Sequence, residues 1–473
     1  MEWSKHMNYN LLEERWIPVL WTNAKPGRVG IREALTQAGR IRQVAASNPM
    51  DRVAILRFLL AVLYWCKGNP PNDMDAFSRQ PFPGDWFKRL DENRDLFNLL
   101  GDGPRFYQDR AARRRRPTAD LLQEIPTGNN FWHFRHATDG RDGLCPSCCT
   151  MGLLRLPLFS VSGLPDLKAG INGAPPVYVV PWGMSLVEAL RINWKPCASL
   201  GVPTWDDVSV DPDPEVGFPL LAGLTMLSRR VLLHEPVERS GTCIGCGGRD
   251  SPLIVTCEFQ TAGAQRDERW NDPHVLYLEG PPRRTARATD LRTASKFRMD
   301  RPWPDLLTHI AETNKFTAGN KTALLLVVGF ATNKALNIDV WERTIALPPG
   351  TSIPERPAEL LQQWRQQGWR MEKQIARVVR SEAEGAAVAA TIRPHIEGRI
   401  SAKAGELIVG TEETWEQAAR EYRPIMKMIA RSLSPGVTTA AVERRREIAS
   451  MLPDMRRKAE GAEKPRKKKG GSK

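Results

Sequence analysis

The chain has 473 residues, of which 41% are hydrophobic and 26% are charged. That length exceeds what one ordinary hydrophobic core organises, so we expect one large domain and a smaller one. The formal net charge of +14 favours a polyanionic partner, because phosphates neutralised by a basic protein release their counterions.

The start of the chain and its apolar runs argue against a membrane protein or a secreted one. The best apolar run, residues 53–66, contains Arg57 and is too short to cross a bilayer. Glu2, Lys5 and His6 come before any apolar stretch, so a signal-peptide pattern is missing. We therefore expect a cytoplasmic protein with no membrane partner.

The first third of the chain predicts strands, one deep helix and then loops. Residues 10–21 mix branched, aromatic and turn residues, as a strand or two would. Asn48 is a suitable N-cap and Pro49 suits a first helical turn, and the apolar run that follows predicts a helix buried on all sides. Residues 100–150 are rich in glycine, arginine and asparagine and predict exposed loops, whereas residues 153–180 favour strands and turns.

The later part of the chain changes character near residue 350. The apolar run at residues 321–330 predicts a buried strand, and Thr-Asn-Lys at residues 332–334 suits a hairpin turn. The proline-rich segment 347–357 indicates a linker. Apolar residues then recur at helical spacing through residues 358–460, which predicts a bundle of about four helices.

These patterns together predict an α+β protein. We expect a large mixed α/β domain over residues 1–350, a C-terminal four-helix bundle over residues 351–462 and a basic disordered tail over residues 463–473.

Two Cys-x-x-Cys pairs are the strongest chemical signal in the sequence. Cys145 and Cys148 form the first pair, Cys243 and Cys246 form the second, and 94 residues separate the pairs. Each pair supplies half of a tetrahedral zinc site, and four thiolates together close the site to water or substrate. Disulfides, redox pairs and unliganded thiols are the alternatives, although the missing secretion signal disfavours disulfides.

The sequence by itself offers no convincing enzyme. His133 and His136 flank Phe134 and Arg135 and suggest a zinc nuclease, but a carboxylate cluster is missing nearby. Loop histidines that contact a polyanion or solvent explain the pair better than catalysis does. The sequence also lacks a P-loop, a G-x-S-x-G elbow and an H-E-x-x-H motif.

An ordered set of motifs resembles the CasA family, the large subunit of the type I-E CRISPR surveillance complex Cascade. The motifs are NLLEERWIPV, CPSC, GLPDLKAGINGAPP, CIGCGG and GFATNKA, in that order along the chain. The resemblance implies an α/β domain with structural zinc held by Cys145, Cys148, Cys243 and Cys246, followed by a helical bundle.

The resemblance also implies a function without catalysis. Members of the family read the protospacer-adjacent motif of double-stranded DNA from the minor groove, start the strand separation that forms an R-loop, and help recruit a helicase-nuclease. The implied partners are the other Cascade subunits, guide RNA, target DNA and its displaced strand. A zinc-stabilised RNA- or ribosome-associated protein and a zinc-dependent nuclease are the alternatives that the composition leaves open.

The family's DNA-contacting elements fall on several short segments of this chain. Its wedge hairpin, with an Asn-Gln pair, falls on Asn333 and Lys334. Its glycine loop falls on Ser162, Gly163, Leu164 and Pro165, and its first-domain loop on Phe134 and His136. The family's basic finger has no lysine here, and Arg266 is the next cation along the chain. Basic residues of the bundle are expected to follow the displaced single strand.

Overall fold

We describe a computed structural model of the chain. It describes residues 8–71, 81–124, 143–160, 170–172, 175–206, 218–237, 241–249, 252–261, 270–279, 291–293, 323–333 and 336–347, together with Gln417. The chain divides into two compact units, residues 1–297 with 320–349 and residues 298–319 with 350–473. Apart from Gln417, all described residues belong to the first unit. The predicted bundle and tail lie outside the described residues and stay predictions.

The described residues of the first unit form a mixed α/β structure, as predicted. The α-helices are α1 Ile31–Thr36, α2 Pro49–Lys67, α3 Lys88–Glu92, α4 Pro146–Phe159, α5 Leu186–Asn193 and α6 Leu220–Thr225. The strands are β1 Tyr9–Asn10, β2 Ile17–Trp21, β3 Pro26–Val29, β4 Ile41–Val44, β5 Asn98–Leu100, β6 Arg115–Pro117, β7 Tyr178–Pro181, β8 Arg229–Leu233, β9 Thr256–Thr261, β10 Tyr277–Glu279, β11 Leu291–Thr293, β12 Ala323–Asn333 and β13 Leu336–Leu347.

The strands pair in several small antiparallel sheets. In the described part of the chain the strand orders are β1-β5, β3-β2-β4, β6-β9-β8, β13-β12-β7 and β10-β11. Antiparallel sheets of this size bury one face on a core and leave the other to water or partners. Helix α2 packs against β4, β12 and β13, and helix α4 packs against β8.

Helix α2 is the central element of the unit, and its start is as predicted. The side chain of Asn48 accepts a hydrogen bond from the amide of Met50 at 2.9 Å, and Pro49 occupies the first turn. Gly68 ends the helix with φ of +82°, a conformation that favours glycine. Residues 53–65 are all buried, because α2 packs against α4 and α6 as well as against β12 and β13. The predicted deep helix is therefore confirmed.

Helix α4 corrects two predictions. Residues 146–150 were expected in an exposed loop and residues 153–159 in strands and turns, yet Pro146–Phe159 is one helix whose residues are all buried. A helix that is apolar on every side shows no periodicity to distinguish it from strands. Gly152 lets the helix approach closely, since a Cβ there would lie 2.8 Å from the Cβ of Leu121. Pro157 lies near the C-terminal end, where few helical hydrogen bonds are lost.

A buried polar network connects α2 to the chain that precedes β10. The guanidinium of Arg57 donates to both carboxylate oxygens of Asp272, at 2.6 and 2.8 Å. Its Nη1 also lies 2.8 Å from Nδ1 of His274. Asn172 donates to Asp272 at 2.8 Å and accepts from the indole of Trp270 at 2.8 Å. Burial would raise the pKa of Asp272, but the charge and hydrogen bonds of Arg57 outweigh it and lower that pKa.

The hydrogen bonds of this network define the protonation of His274. Because Arg57 can only donate, Nδ1 of His274 accepts and carries no proton. The side-chain nitrogen of Asn193 donates to the carbonyl oxygens of Pro181 and Ala189, at 2.7 and 2.8 Å, so its Oδ1 is left to accept from Nε2 of His274 at 2.9 Å. We infer that His274 is neutral, with its proton on Nε2.

Among the described residues, no helix combines the length and the apolar character needed to span a bilayer.

Candidate metal site and the predicted DNA-contacting residues

The first cysteine pair lies at the start of α4. Cys145 is the N-cap residue and Cys148 lies in the first turn, where the partial positive charge of the helix end favours thiolates. The loop before the pair is fixed by two hydrogen bonds between Leu144 and Ile254, at 3.0 and 2.8 Å. Gly143 has φ of +93°, and a Cβ there would lie 2.7 Å from the carbonyl oxygen of Ile254. The first pair is therefore positioned by a helix end and by the backbone around Ile254.

The second pair lies in a tight turn that contacts the first. The amide of Cys243 donates to the carbonyl of Gly248 at 2.8 Å, and the amide of Gly247 donates back to the carbonyl of Cys243 at 2.8 Å. The amide of Ile244 donates to the carbonyl of Gly143 at 3.1 Å and so connects the two loops. A Cβ on Gly245 would lie 2.9 Å from Sγ of Cys148, so glycine is required where the turn meets the first pair.

The four sulfur atoms form one cluster, as the sequence predicted. All four lie within 4.8 Å of one another, and the sulfurs of Cys145 and Cys246 are 3.8 Å apart. A zinc ion with Zn–S bonds of about 2.3 Å in tetrahedral geometry separates its sulfurs by about 3.8 Å. Cys145, Cys148 and Cys243 are buried and Cys246 is exposed. The donor set and its spacing therefore fit a closed four-thiolate zinc site.

The pKa shifts of the clustered cysteines are also consistent with a site for a cation. The pKa of Cys243 is lowered because the thiols of Cys145 and Cys148 donate hydrogen bonds to its sulfur, and the amide of Cys145 adds a further bond. The pKa of Cys148 is raised because its thiol is the donor and because it is buried. Hydrogen bonds thus favour the thiolate at Cys243, whereas four adjacent thiolates would require a cation.

The other cysteines do not join this cluster. All eight cysteines lie in described parts of the chain and are free thiols. Cys149 follows the first pair directly but is fully buried, and burial raises the pKa of its thiol well above the ordinary value. Burial likewise raises the pKa of Cys66 and of Cys257 to about 12. These three thiols therefore behave as core side chains.

Strands β12 and β13 form the hairpin predicted around residues 332–334, and its role as a wedge stays a prediction. The two strands pair along their whole length, and Asn333 at the end of β12 pairs with Leu336 at the start of β13. The register shifts between Ala331 and Thr332, which is how a bulge increases local twist near a tip. The predicted buried strand is confirmed, because residues 325–330 of β12 are all buried. The side chain of Asn333 is not among those described.

The base of the hairpin is anchored on both sides. Strand β12 lies between β13 and β7, and Arg52 of α2 forms an ion pair with Glu342 of β13 at 2.6 Å. Gly329 pairs with Trp341, and a Cβ at Gly329 would lie 2.1 Å from the indole ring. The glycine that opens the GFATNKA motif is thus a packing requirement of the hairpin base.

The remaining predicted contacts lie outside the described residues, and their assignment stays a prediction. They are Phe134, His136, Ser162, Gly163, Leu164, Pro165, Arg266 and Lys334.

Sequence reasoning missed a second buried ion cluster, which lies toward the opposite end of α4 from its cysteines. The guanidinium of Arg155 lies 3.3 Å from the carboxylate of Asp51 and 2.9 Å from that of Glu124. Asn48, the N-cap of α2, also donates to Glu124 at 2.9 Å. An arginine within a run as apolar as residues 151–159 was the available signal, because a buried charge needs a buried partner.

Comparison with known proteins places this structure among CRISPR-associated proteins. A sequence model of the family CRISPR-associated protein Cse1 matches residues 10–459. The CRISPR-associated protein CasA/Cse1 of Thermus thermophilus is 32% identical over 204 residues, which span 40% of this chain and 40% of that protein. The sequence alignment thus covers less than half of that relative.

Solved structures share the fold over most of the chain. A crystal structure of CasA from Thermus thermophilus has a TM-score of 0.64 at 18% identity, covering 94% of this chain and 99% of its own. Cse1 from Acidimicrobium ferrooxidans has a TM-score of 0.60 at 16% identity, with 96% and 99% covered. A chain of a CRISPR RNA-guided surveillance complex has a TM-score of 0.65 at 14% identity, with 94% and 99% covered.

The fold is therefore that of a CRISPR-associated protein with a mixed α/β body. Because the family model covers nearly all of its length, the chain belongs to the Cse1 family.

Proposed function

We propose that this chain is the large subunit of a Cascade surveillance complex, which assembles with guide RNA and companion subunits to detect double-stranded DNA. In this role it recognises the protospacer-adjacent motif from the minor groove, nucleates strand separation and helps recruit a helicase-nuclease. The observation that carries the proposal is the Cse1 family match over residues 10–459. The shared fold with a chain of an RNA-guided surveillance complex adds support.

In this proposal the four-cysteine cluster binds zinc for structure and performs no reaction. Four sulfurs within 4.8 Å of one another fill the tetrahedral positions and leave none for water or substrate. The ion would join the start of α4 to the turn at Cys243 and Cys246. When bound, it supplies charge neutralisation and cross-linking of two loops, and DNA degradation falls to the recruited nuclease.

The hairpin β12–β13 is the proposed wedge. Opening a duplex step costs about 1.4 kcal/mol in lost stacking, and at the first step no guide pairing yet offsets that cost. A tip that fills the opened step would stabilise it, provided that the hairpin resists the restoring force. The ion pair of Arg52 with Glu342 and the pairing of β12 with β7 give it that rigid base.

The residue at position 334 gives the wedge a different chemistry from its family. The minor groove presents mainly acceptors, with one donor on guanine. The Lys334 ammonium is a donor with no acceptor, whereas glutamine is both. We therefore propose a motif preference shifted from the family norm. A randomised-motif binding selection on the assembled complex tests this, and an unchanged preference in Lys334→Gln would remove Lys334 from motif reading.

Reconstitution tests the whole proposal. The companion subunits and guide RNA are assembled with and without this chain, and binding is measured to a matching duplex that carries the selected motif. We expect stable target binding only when the chain is present. Equal binding without it, or cleavage of plasmid by the isolated chain with divalent metal, would overturn the proposal.

A further inference from the structure

The first unit carries an arginine ridge that neither the zinc cluster nor the hairpin uses. We define it as Arg110, Arg113, Arg114, Arg115 and Arg116, all of which are exposed. The ridge includes β6, the edge strand of the sheet β6-β9-β8. Five guanidinium groups lie within seven residues, two of them in β6 and three in the chain that leads into it, which is a high density of positive charge.

The backbone of the ridge is held in place from both sides. At its start the amide of Asp109 donates to the carbonyl of Val231 at 2.8 Å. In the middle the amide of Phe259 donates to the carbonyl of Arg114 at 2.7 Å. At its end Thr118 is fully buried, and its hydroxyl donates to the carbonyl of Ile254 at 2.6 Å. A fixed backbone means that binding a partner need order only the side chains.

Three arginines of the ridge contact uncharged groups in the described structure. Arg110 donates to the carbonyls of Asp102 and Gly103, at 2.5 and 2.8 Å. Arg113 donates to the carbonyls of Arg110 and Ala112, and Arg115 contacts the hydroxyl of Thr256 at 3.4 Å. Such contacts orient a guanidinium group without cancelling its charge.

Of the described carboxylates near the ridge, Asp109 and Glu258 have partners outside it, and Asp120 pairs with Arg116 and also feels the charge of Arg114. Asp109 pairs with Arg230 at 3.3 Å, and Asp120 pairs with Arg116 at 2.7 Å. Glu258 lies opposite Arg115 in the strand register, but its carboxylate faces His234 at 3.2 Å. Arg110, Arg113 and Arg115, whose contacts in the described part of the chain are with uncharged groups, therefore keep their positive charge for a partner. Arginine forks suit phosphate oxygens bidentately.

The described side chains of the first unit suit a duplex better than a single strand. Proteins that bind single-stranded nucleic acid stack its bases on exposed aromatic rings. Among the described side chains no aromatic ring is exposed, and the exposed large hydrophobic residues are Met184, Val202 and Val237. Duplex DNA presents the denser phosphate array, about one charge per 1.7 Å of axis.

We infer that the arginine ridge binds the phosphate backbone of duplex DNA next to the motif. This rests on the proposed function and adds a second contact that reads no sequence. The ridge would hold the duplex that is still base-paired, while the hairpin acts where the two strands separate. Phosphate contacts of this kind set position and register and leave base recognition to other residues.

The test compares two charge-matched variants in the assembled complex. The ridge variant is Arg110→Gln, Arg113→Gln and Arg115→Gln. The control is Arg28→Gln, Arg40→Gln and Arg42→Gln, three exposed arginines near β3 and β4. Affinity for a motif-bearing duplex is measured over a range of salt. We expect the slope of log affinity against log salt to decrease by about 2–3 in the ridge variant and to change less in the control.

Two further readings separate this inference from the proposed function. The affinity ratio between correct and scrambled motifs reports on the proposed function and should be unchanged in the ridge variant. Trimming the duplex flank beside the motif should remove the difference between ridge variant and wild type. Equal salt slopes for ridge and control variants, a difference that survives trimming, or failure of the ridge variant to assemble with guide RNA would each overturn the assignment to duplex DNA.

Discussion

The backbone amide of Cys145 donates a hydrogen bond to Sγ of Cys243 at 3.2 Å, although 98 positions separate the two residues. Hydrogen bonds from amides to sulfur stabilise thiolates and fix the orientation of metal ligands. The two loops therefore bring their cysteines together through their own backbone contacts, and the close approach of Cys148 leaves room only for glycine at position 245.

The adjacent thiols of Cys148 and Cys149 provide a matched test of zinc binding. Cys148→Ser removes a ligand and should abolish stoichiometric zinc and destabilise the first unit by several kcal/mol, since structural zinc in small domains contributes roughly 10–16 kcal/mol. Cys149→Ala removes a fully buried thiol outside the cluster. This variant should retain its zinc, and its free energy of unfolding should fall by about 1 kcal/mol. Metal analysis and thermal unfolding measure both. Full zinc content in Cys148→Ser would contradict the assignment.

The ion pair of Arg57 and Asp272 should be a major determinant of stability. Both side chains are almost completely buried, at 2% and 0% exposure. Asp272→Asn leaves the Arg57 charge without its counterion and should cost roughly 3–5 kcal/mol in denaturant unfolding. The double variant Arg57→Met, Asp272→Leu should lose less than the sum of the single variants, as coupled neighbours do. Additive losses would show that the pair is not coupled.

Asp51 should make stability depend on pH in an unusual direction. Burial raises its pKa from 3.8 to about 6, although Arg155 is close by. At a pH between these two values Asp51 keeps a proton in the folded protein that it has lost in the unfolded chain. The contribution of Asp51 to the free energy of unfolding therefore falls as the pH rises. The free energy of unfolding of Asp51→Asn, relative to that of wild type, should therefore increase by roughly 2 kcal/mol as the pH rises from about 4.5 to about 7. Chemical unfolding measures the difference, with Glu14→Gln on the exposed surface as control. Parallel pH profiles for wild type and Asp51→Asn would contradict it.

Asn333 should affect the opening of DNA more than the assembly of the complex. If the hairpin tip stabilises the first opened step, Asn333→Ala should slow strand opening by roughly tenfold, the equivalent of about 1.4 kcal/mol. Arg343→Gln is the control, because Arg343 lies opposite Val327 on the same hairpin but near its base. Opening is followed by fluorescence of a base analogue beside the motif. Equal rates for both variants would remove the tip from the mechanism.

Local signals in the sequence explain which predictions were confirmed. The N-cap Asn48 and Pro49 specify the start of α2 within a few residues, and the Cys-x-x-Cys spacing brings two sulfurs together without tertiary information. Helix α4 was missed because burial on all sides removes the apolar periodicity that identifies helices. The partner of Arg57 was not predictable, since Asp272 lies 215 positions away and is chosen by packing.

The cysteine cluster also makes the geometry of the first unit less dependent on the length of the chain between the two cysteine pairs. The 94 residues between the pairs begin and end at the same cluster of sulfurs. The ends of this segment are therefore held together whatever the length of its turns. Doubling the length of a flexible closed segment costs only about 0.6 kcal/mol. Lengthening a surface turn between Cys148 and Cys243 should therefore cost little, provided that β7 and β8 keep their pairing with β12 and β9.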